Sequence, residues 1–229
     1  MALAESFAQK GWKVAVCYHQ DEASAQTARE KLASYPVPGE VLRCDVSQGE
    51  PVEEMIQGLM DRWGILDAVI HNAGATWNAR IPNIDEAQWE DTLGVHLKGA
   101  FLVSQAAIKT MLKQKEGHLI FISSVAATTG NIGQGSYTAA KAGVIGLAKS
   151  VAREYGSKNI KVNVVCPGFH KTKLAEGLSP EAEQTILEKH LLGKTTDLKE
   201  VREFVVWLAG TQTISGQVFN LDSRLPGWL

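Results

Sequence analysis

Short apolar runs alternate with longer amphipathic stretches along almost the whole chain. This alternation predicts an α/β fold, in which helices cover both faces of a parallel sheet. The predicted strands are residues 14–18, 41–44, 68–71, 119–123, 162–166 and 217–221. The predicted helices are residues 1–9, 22–34, 51–63, 86–114, 137–155, 180–189 and 198–208.

The length and composition suit one domain that spans residues 1–229, because 45% of the residues are hydrophobic and no linker or repeat interrupts the pattern. The least regular stretch is 168–194. It is long for a connection between regular elements, so it is either a surface excursion or a lid over a binding site.

The most informative spacing in the sequence joins a serine, a tyrosine and a lysine. Tyr137 lies thirteen residues after Ser124 and four before Lys141. Residues four apart share a helix face, so the phenol and the ammonium can enter one pocket. A cation about 4 Å away favours a phenolate by roughly 4 kcal/mol at an effective dielectric near 20. We therefore expect the pKa of Tyr137 to fall about three units, into the range of a general acid or base at neutral pH.

The position of Ser124 adds to this expectation, because it follows the apolar run 118–122 at the carboxyl end of a predicted strand. Open parallel sheets bind ligands at that end. A Tyr-x-x-x-Lys spacing alone also occurs on solvated helix faces. The surrounding residues therefore have to show whether this pair is part of a functional site.

Polar and glycine-rich segments follow three other predicted strands: Asp45-Val46, His71-Asn72-Ala73-Gly74 and the segment 167–172, Pro-Gly-Phe-His-Lys-Thr. Together with the segment 123–146, they make the chain resemble the short-chain dehydrogenase/reductase family, and within it the β-ketoacyl carrier-protein reductases and acetoacetyl-CoA reductases. The resemblance covers nearly the whole chain. It implies a Rossmann-like, doubly wound parallel sheet in a single domain, with residues 168–194 as a lid over the substrate and the nicotinamide.

The resemblance also implies that an element is absent at the front. Residues 1–8 match the helix that follows the glycine-rich turn of the family, and neither that turn nor the strand before it is present. In the family this strand lies in mid-sheet. Losing about five buried apolar residues forfeits on the order of 10 kcal/mol, which rivals the stability of a whole domain, and leaves two inner strand edges unpaired. We expect an N-terminally truncated reading of a longer protein rather than a natural short form, and whether this chain binds cofactor is open.

By resemblance, hydride passes from the nicotinamide to a substrate carbonyl while Tyr137 donates a proton to its oxygen. Ser124 would bond that oxygen, and Lys141 would bind the nicotinamide ribose. His96 stands where the family usually has an asparagine that holds a water for proton relay. A neutral imidazole would keep that water. Alternatively, His96 would protonate near pH 6.5, repel Lys141 and so reduce the activity at acidic pH. The third alternative is that His96 only packs within its helix.

The resemblance assigns further residues to the cofactor. Asp45 and Val46 would contact the adenine, and Asn72, Ala73 and Gly74 would contact the adenosine ribose. The backbone of Pro167, Gly168 and His170 would face the nicotinamide. Thr172, Tyr137 and Lys141 would also contact the cofactor. The family favours Ile or Val at position 170. NAD-preferring relatives carry an acidic residue where this chain has Tyr18, followed by His19, so we expect NADP, with NAD as the alternative.

Charge and composition narrow the partners and the location. The net charge of −2 gives no electrostatic reason to expect nucleic acid or an anionic membrane as partner. No apolar run has the length of a membrane span, and the first residues do not resemble a signal peptide, so we expect a cytoplasmic protein. The three cysteines lie in apolar runs and are expected to be buried thiols, and the six histidines lack metal-ligand spacing.

Three functions stay open at this point. The first is reduction of β-ketoacyl groups on acyl carrier protein or coenzyme A, favoured by the loop 131–137, with Lys113, Lys115 and Lys158 as docking residues for an acidic carrier or as plain surface charges. The second is a dehydrogenase for another small alcohol, a sugar or a steroid. The third is a catalytically weak paralogue or a structural subunit of an oligomer. The absent turn, His96, and Asp222-Ser-Arg where the resemblance implies Asp-Gly-Gly all favour it. Residues 217–221 resemble the family's last strand, which implies a homotetramer, while the alternative is an edge strand in a monomer.

Overall fold

A computed structural model describes residues 1–75, 77–170 and 180–224. The strands in these ranges are β1 Ala15–Tyr18, β2 Glu40–Arg43, β3 Ala68–His71, β4 Gly117–Ile122, β5 Ile160–Cys166 and β6 Val218–Asn220. The helices are α1 Ala2–Gln9, α2 Glu22–Ala33, α3 Gly49–Trp63, α4 Glu86–Leu93, α5 Gly99–Gln114, α6 Ala126–Thr129, α7 Gly135–Tyr155, α8 Pro180–Glu188 and α9 Leu198–Ala209. None of the described helices combines the length and the apolar character needed to cross a membrane.

All described strand pairs are parallel, and helices cover both faces of the larger sheet. That sheet has the order β3-β4-β5-β6. Along β4, Leu119 and Phe121 enter the core formed with α3, α5 and α7, whereas Ile120 enters the core formed with α1 and α9. Because successive side chains of a strand point to opposite faces, the continuous apolar run of β4 buries both faces. The predicted doubly wound α/β fold is confirmed.

The sheet is divided where the resemblance places the absent strand. β1 pairs with β2, β3 pairs with β4, and within the described residues no ladder joins β1 to β3. A cleft of about 680 Å³ separates them and is lined mainly by apolar side chains of both strands, α1 and α3. Cys17 lines this cleft and is exposed, so the prediction of a buried thiol is wrong there, whereas Cys44 and Cys166 are buried.

The helix predicted over residues 86–114 is not continuous. A π-helical turn, Gly94–Lys98, separates α4 from α5. Such turns insert an extra residue without changing the hydrophobic pattern enough to be read from sequence, and they often occur at functional sites. This one carries His96, whose side chain is buried.

Candidate active site

Ser124, Tyr137 and Lys141 lie together at the carboxyl end of β4. Ser124 follows the strand, and the other two project from the first two turns of α7. The Lys141 ammonium lies 5.7 Å from the centroid of the Tyr137 ring. The Ser124 side chain faces the phenol of Tyr137 closely enough to lower its pKa. A hydroxyl, a phenol and an ammonium in this arrangement can deliver a proton to an oxygen atom and stabilise negative charge on it.

Lys141 is held against β4 by its backbone and its side chain. The Ser123 hydroxyl donates to the Lys141 carbonyl at 2.9 Å, and the Lys141 ammonium donates to the Ile122 carbonyl at 2.7 Å. The residue is only 4% exposed, and this burial lowers the pKa of the ammonium to about 8.

The pKa of Tyr137 moves in the direction opposite to the predicted one. Burial raises the pKa of its phenol above the ordinary value, and the Ser124 side chain offsets only part of that rise. The prediction of a lowered pKa is wrong because it assumed a cation about 4 Å from the phenol oxygen, whereas the Lys141 ammonium points at Ile122 and lies over the ring. Tyr137 is therefore protonated at neutral pH.

His96 packs edge-on against Tyr137, with ring centroids 5.2 Å apart and an interplanar angle of 86°. Its Nε2 lies 2.6 Å from the carbonyl oxygen and 3.2 Å from the nitrogen of Ala75. We assign the proton to Nε2, because two acceptors would repel each other at 2.6 Å, and Nδ1 is then the unprotonated nitrogen, buried without a hydrogen-bond partner in the described structure. A Cβ on Gly74 would lie 2.5 Å from Cε1 of His96, so only glycine leaves room for the ring. The imidazole thus fixes the loop after β3 against the tyrosine.

The expectation that His96 protonates near pH 6.5 is also wrong. Burial, and next the charge of Lys141, lower the pKa of His96 to about 4. The ring is neutral throughout the neutral range, and its unpartnered Nδ1 is available as an acceptor.

His71 is a site residue that the sequence did not single out for a role. Its ring faces the backbone of Val95 and His96 in the π-helical turn, which favours its protonated form, but burial, and next the charge of Lys141, outweigh this and lower its pKa to about 4. A Cβ on Gly99 would lie 3.4 Å from the His71 ring. His71 therefore supports the turn that presents His96. The only signal in the sequence is its place directly before Asn72, at a strand end.

The residues expected to meet the adenosine half of a cofactor border one cleft. Val46, Asn72, Ala73 and Gly74 all line the opening between β1 and β3. Asp45 accepts hydrogen bonds from the backbone N–H and the hydroxyl of Ser47 at 3.0 and 2.7 Å. Burial alone would raise the pKa of Asp45, but these bonds outweigh it and lower the pKa, so the carboxylate is an ionised acceptor at this edge.

The loop after β5 shows a contact that the sequence did not indicate. Nε2 of His170 lies 2.7 Å from the carbonyl oxygen of Pro167, and Gly168 adopts a φ of 86°. The Pro167 carbonyl, which is part of the backbone expected to face the nicotinamide, is therefore also in contact with the His170 ring. Thr172 lies outside the described residues, as does part of the segment 168–194, so the lid stays a prediction.

The surroundings of Tyr18 bear on the choice of coenzyme. The Tyr18 hydroxyl donates to Glu22 at 2.5 Å, and Arg29 donates to the same carboxylate at 2.6 Å. Arg43 donates to the backbone oxygen of His19 at 3.3 Å. The carboxylates of Glu22 and of Asp21, which accepts from the backbone N–H and the hydroxyl of Ser24, are thus both engaged. Two guanidinium groups lie near this strand end.

The lysines considered for docking a carrier are far from the site. Lys113 and Lys115 end α5, and Lys158 precedes β5, where Asn159 bonds to the Lys115 carbonyl at 3.2 Å. These positions lie before the amino ends of β4 and β5, while Ser124 lies past the carboxyl end of β4. This placement argues against the docking role.

The hydrogen-bonding capacity of the buried Lys141 ammonium indicates whether a nicotinamide nucleotide can bind beside Tyr137. Within the described residues this ammonium donates one hydrogen bond, to Ile122, although an ammonium has three N–H donors. Two remaining donors on a buried ammonium, beside the phenol of Tyr137, match a pair of ribose hydroxyls. The site fits that half of the cofactor.

Comparison with known proteins gives matches over nearly the whole chain. A family profile described as enoyl-(acyl carrier protein) reductase matches residues 1–223. The 3-oxoacyl-[acyl-carrier-protein] reductase FabG of Staphylococcus aureus is 34% identical over 226 residues, which cover 98% of this chain and 92% of that protein. The protein of the same name from Thermotoga maritima is 36% identical over 183 residues, which cover 79% of this chain and 74% of that protein. The NADPH-dependent 3-quinuclidinone reductase from Rhodotorula rubra has a similar structure, with a TM-score of 0.88 at 26% identity, covering 97% of this chain and 85% of that one.

Proposed function

Because the chain belongs to the short-chain dehydrogenase/reductase family of oxidoreductases, we propose that it reduces a β-ketoacyl thioester, carried by acyl carrier protein or coenzyme A, to the β-hydroxyacyl form. The observation that carries the proposal is the grouping of Ser124, Tyr137 and Lys141 at one strand end. The similarity to 3-oxoacyl-[acyl-carrier-protein] reductases over 98% of the chain supports the substrate class.

A bound nicotinamide nucleotide supplies the hydride. Tyr137, protonated at neutral pH, donates its proton to the ketone oxygen. Ser124 accepts from the backbone N–H of Ala126 at 3.2 Å, and its own O–H, which acts on the phenol of Tyr137 in the structure, would turn towards that oxygen and stabilise developing charge. A raised pKa for Tyr137 suits a reductase, since the phenol is already protonated when the hydride is transferred.

Lys141 and His96 act on Tyr137 from two sides. With a pKa of about 8, Lys141 is mostly charged at neutral pH and stabilises the phenolate that remains after proton transfer. Its two free donors hold the ribose of the cofactor. His96 stays neutral and keeps the Tyr137 ring in place through its edge-on contact.

We infer NADPH as the preferred coenzyme. A carboxylate free to bind both ribose hydroxyls would favour NADH and repel a 2′-phosphate, but Glu22 is engaged by Tyr18 and Arg29. Arg43 adds positive charge at the same edge. Guanidinium groups suit phosphate recognition.

The proposed assembly is a homotetramer, as the family resemblance implies. Large apolar side chains are exposed on two surfaces: Phe101 and Leu112 on α5, and Trp207 and Val218 on α9 and β6. Exposed apolar groups of this size are typical of association surfaces. The cytoplasmic location stays a prediction.

The decisive experiment measures NADPH oxidation with acetoacetyl-CoA and with β-ketoacyl carrier protein. Tyr137→Phe removes the proton donor and is expected to lower kcat about 10²- to 10⁴-fold. Tyr155→Phe, on the same helix but at its far end, is the matched control and should stay within about twofold. Turnover unchanged by Tyr137→Phe, or none by the wild type on any β-ketoacyl thioester, would contradict the proposal.

A second candidate is a reductase of another small ketone. The structural similarity to 3-quinuclidinone reductase favours it. A panel of cyclic and open-chain ketones, assayed beside the thioesters, separates the two, because the preferred substrate is the one with the highest kcat/KM.

A further inference from the structure

The end of β6 holds a charged group that the proposed chemistry does not use. The Asp222 side chain is fully buried. It accepts hydrogen bonds from Nε of Arg224 at 2.7 Å and from the Arg224 backbone N–H at 3.0 Å, and it pairs with Nη2 of the same guanidinium. A buried carboxylate needs such partners to persist.

His190 approaches the same carboxylate oxygen, Oδ2, from the segment after α8. Its side chain is fully buried, and Nε2 lies 3.7 Å from Oδ2 of Asp222. Nδ1 lies 2.8 Å from the carbonyl oxygen of Ile186 in the last turn of α8. Nε2 has no hydrogen-bond partner in the described structure, and the polar group that it faces is the carboxylate of Asp222.

These groups join three parts of the chain. Gly168 lies directly on Asp222, because a Cβ at position 168 would be 2.7 Å from the Asp222 Cβ. The backbone N–H of Leu191 donates to the carbonyl of Ser223 at 3.2 Å, and the Thr196 hydroxyl donates to the carbonyl of Leu221 at 2.7 Å. The loop after β5, the end of β6 and the segment after α8 therefore meet at one buried carboxylate.

We propose that His190, Asp222 and Arg224 form a polar latch that fixes residues 189–196 and the Pro167–Gly168 loop to the end of β6. Resting on the proposed function, the latch positions that loop for the nicotinamide. His190 and Asp222 are positioning residues, since they act through Gly168 and touch no reacting atom. Arg224 then has a role of its own, because its guanidinium compensates the charge of the buried carboxylate that His190 faces.

The first test measures amide hydrogen exchange and needs no activity. Asp222→Asn keeps the side-chain size but removes the charge, and His190→Leu removes the imidazole. Both are expected to speed exchange of the Leu191 amide about tenfold or more by freeing residues 189–196 from β6. Lys161→Met is the matched control, since Lys161 is a buried, paired charge at the opposite end of β5, and it should leave Leu191 unchanged.

The second test is kinetic and separates positioning from general damage. Asp222→Asn is expected to raise KM for NADPH about tenfold with a smaller change in KM for the thioester. The double variant with His190→Leu should do little more than either single change, because both break one unit.

Exchange of Leu191 unchanged in Asp222→Asn, or raised equally by Lys161→Met, overturns the latch, and so does an additive double variant. Should His190→Leu fail to fold, Asp222→Asn decides alone. A wild-type protein that turns over no thioester would contradict the proposed function but not the latch. The exchange measurement tests the latch independently of activity.

Discussion

Tyr137 and Lys141 are largely buried side by side, and this burial governs the protonation state of both groups. Burial favours the neutral form of each, so it raises the pKa of the phenol and lowers that of the ammonium to about 8. The cation lies over the ring at 5.7 Å rather than beside the oxygen. For these two residues, desolvation outweighs the charge–charge attraction that their spacing suggests.

We expect the reduction rate to fall above about pH 8. As the pH rises through the pKa of Lys141, the ammonium loses its proton and no longer stabilises the Tyr137 phenolate. No acid limb near pH 6.5 is expected from His96, whose pKa is about 4. The measurement is kcat/KM against pH for the wild type and His96→Asn, and an acid limb near pH 6.5 that disappears in His96→Asn would contradict this assignment.

Gly74 gives a steric prediction at the same site. An alanine Cβ would lie 2.5 Å from Cε1 of His96, so Gly74→Ala must displace the ring that packs on Tyr137. We expect kcat/KM to fall about tenfold or more. In a His96→Asn background the same change meets a smaller side chain and should cost less, which a double-mutant cycle measures. Equal losses in both backgrounds would show that the contact with His96 is not the cause.

At the scale of elements, the division between β1 and β3 is the dominant feature. Each strand pairs on one side only within the described residues, and buried backbone groups normally need partners. The cleft between them exposes two parallel edges to water and to any extended segment that can pair with both.

We expect amides on the cleft-facing edges of β1 and β3 to exchange faster than those of β4 and β5, which are paired on both sides. A synthetic apolar peptide of about five residues should slow that exchange, since it can pair with both edges as a parallel strand. The same peptide with a central proline is the control, because it lacks one N–H donor. Equal exchange in all four strands, with or without peptide, would mean that the edges are protected in another way.

At the scale of the whole molecule, three buried histidines tie stability to pH. Burial lowers the pKa of His71, His96 and His118 to about 4. The unfolded chain binds protons near pH 6.5 while the folded protein does not, so the free energy of unfolding decreases as the pH falls from about 6.5 towards 4. Each imidazole contributes up to about 1.4 kcal/mol per pH unit in that range.

The measurement is urea unfolding near pH 7 and near pH 5, followed by subtraction of the two free energies. His118→Gln, away from the active site, should reduce the difference. His19→Gln is the control, since the His19 side chain is 49% exposed. The assignment fails if His118→Gln and His19→Gln lose the same stability between the two pH values.

Local pattern was enough for the order and type of the strands and of most helices, but it missed the short helix α6 and the break between α4 and α5. The strand ends that carry Asn72 and Ser124, and the helix face shared by Tyr137 and Lys141, follow from periodicity, because residues four apart lie on one side of any helix. The family was recognisable for the same reason, since its motifs are short and each lies at a strand end.

The tertiary structure alone decided the rest. Protonation states depend on how much water the packed chain excludes. Burial therefore raises the pKa of Tyr137, which we expected to be lowered, and lowers that of His96, which we expected to stay near 6.5. The π-helical turn at 94–98 and the meeting of His190 with Asp222 leave no local signal. They arise from contacts between segments distant in sequence, and only packing determines which of those segments meet.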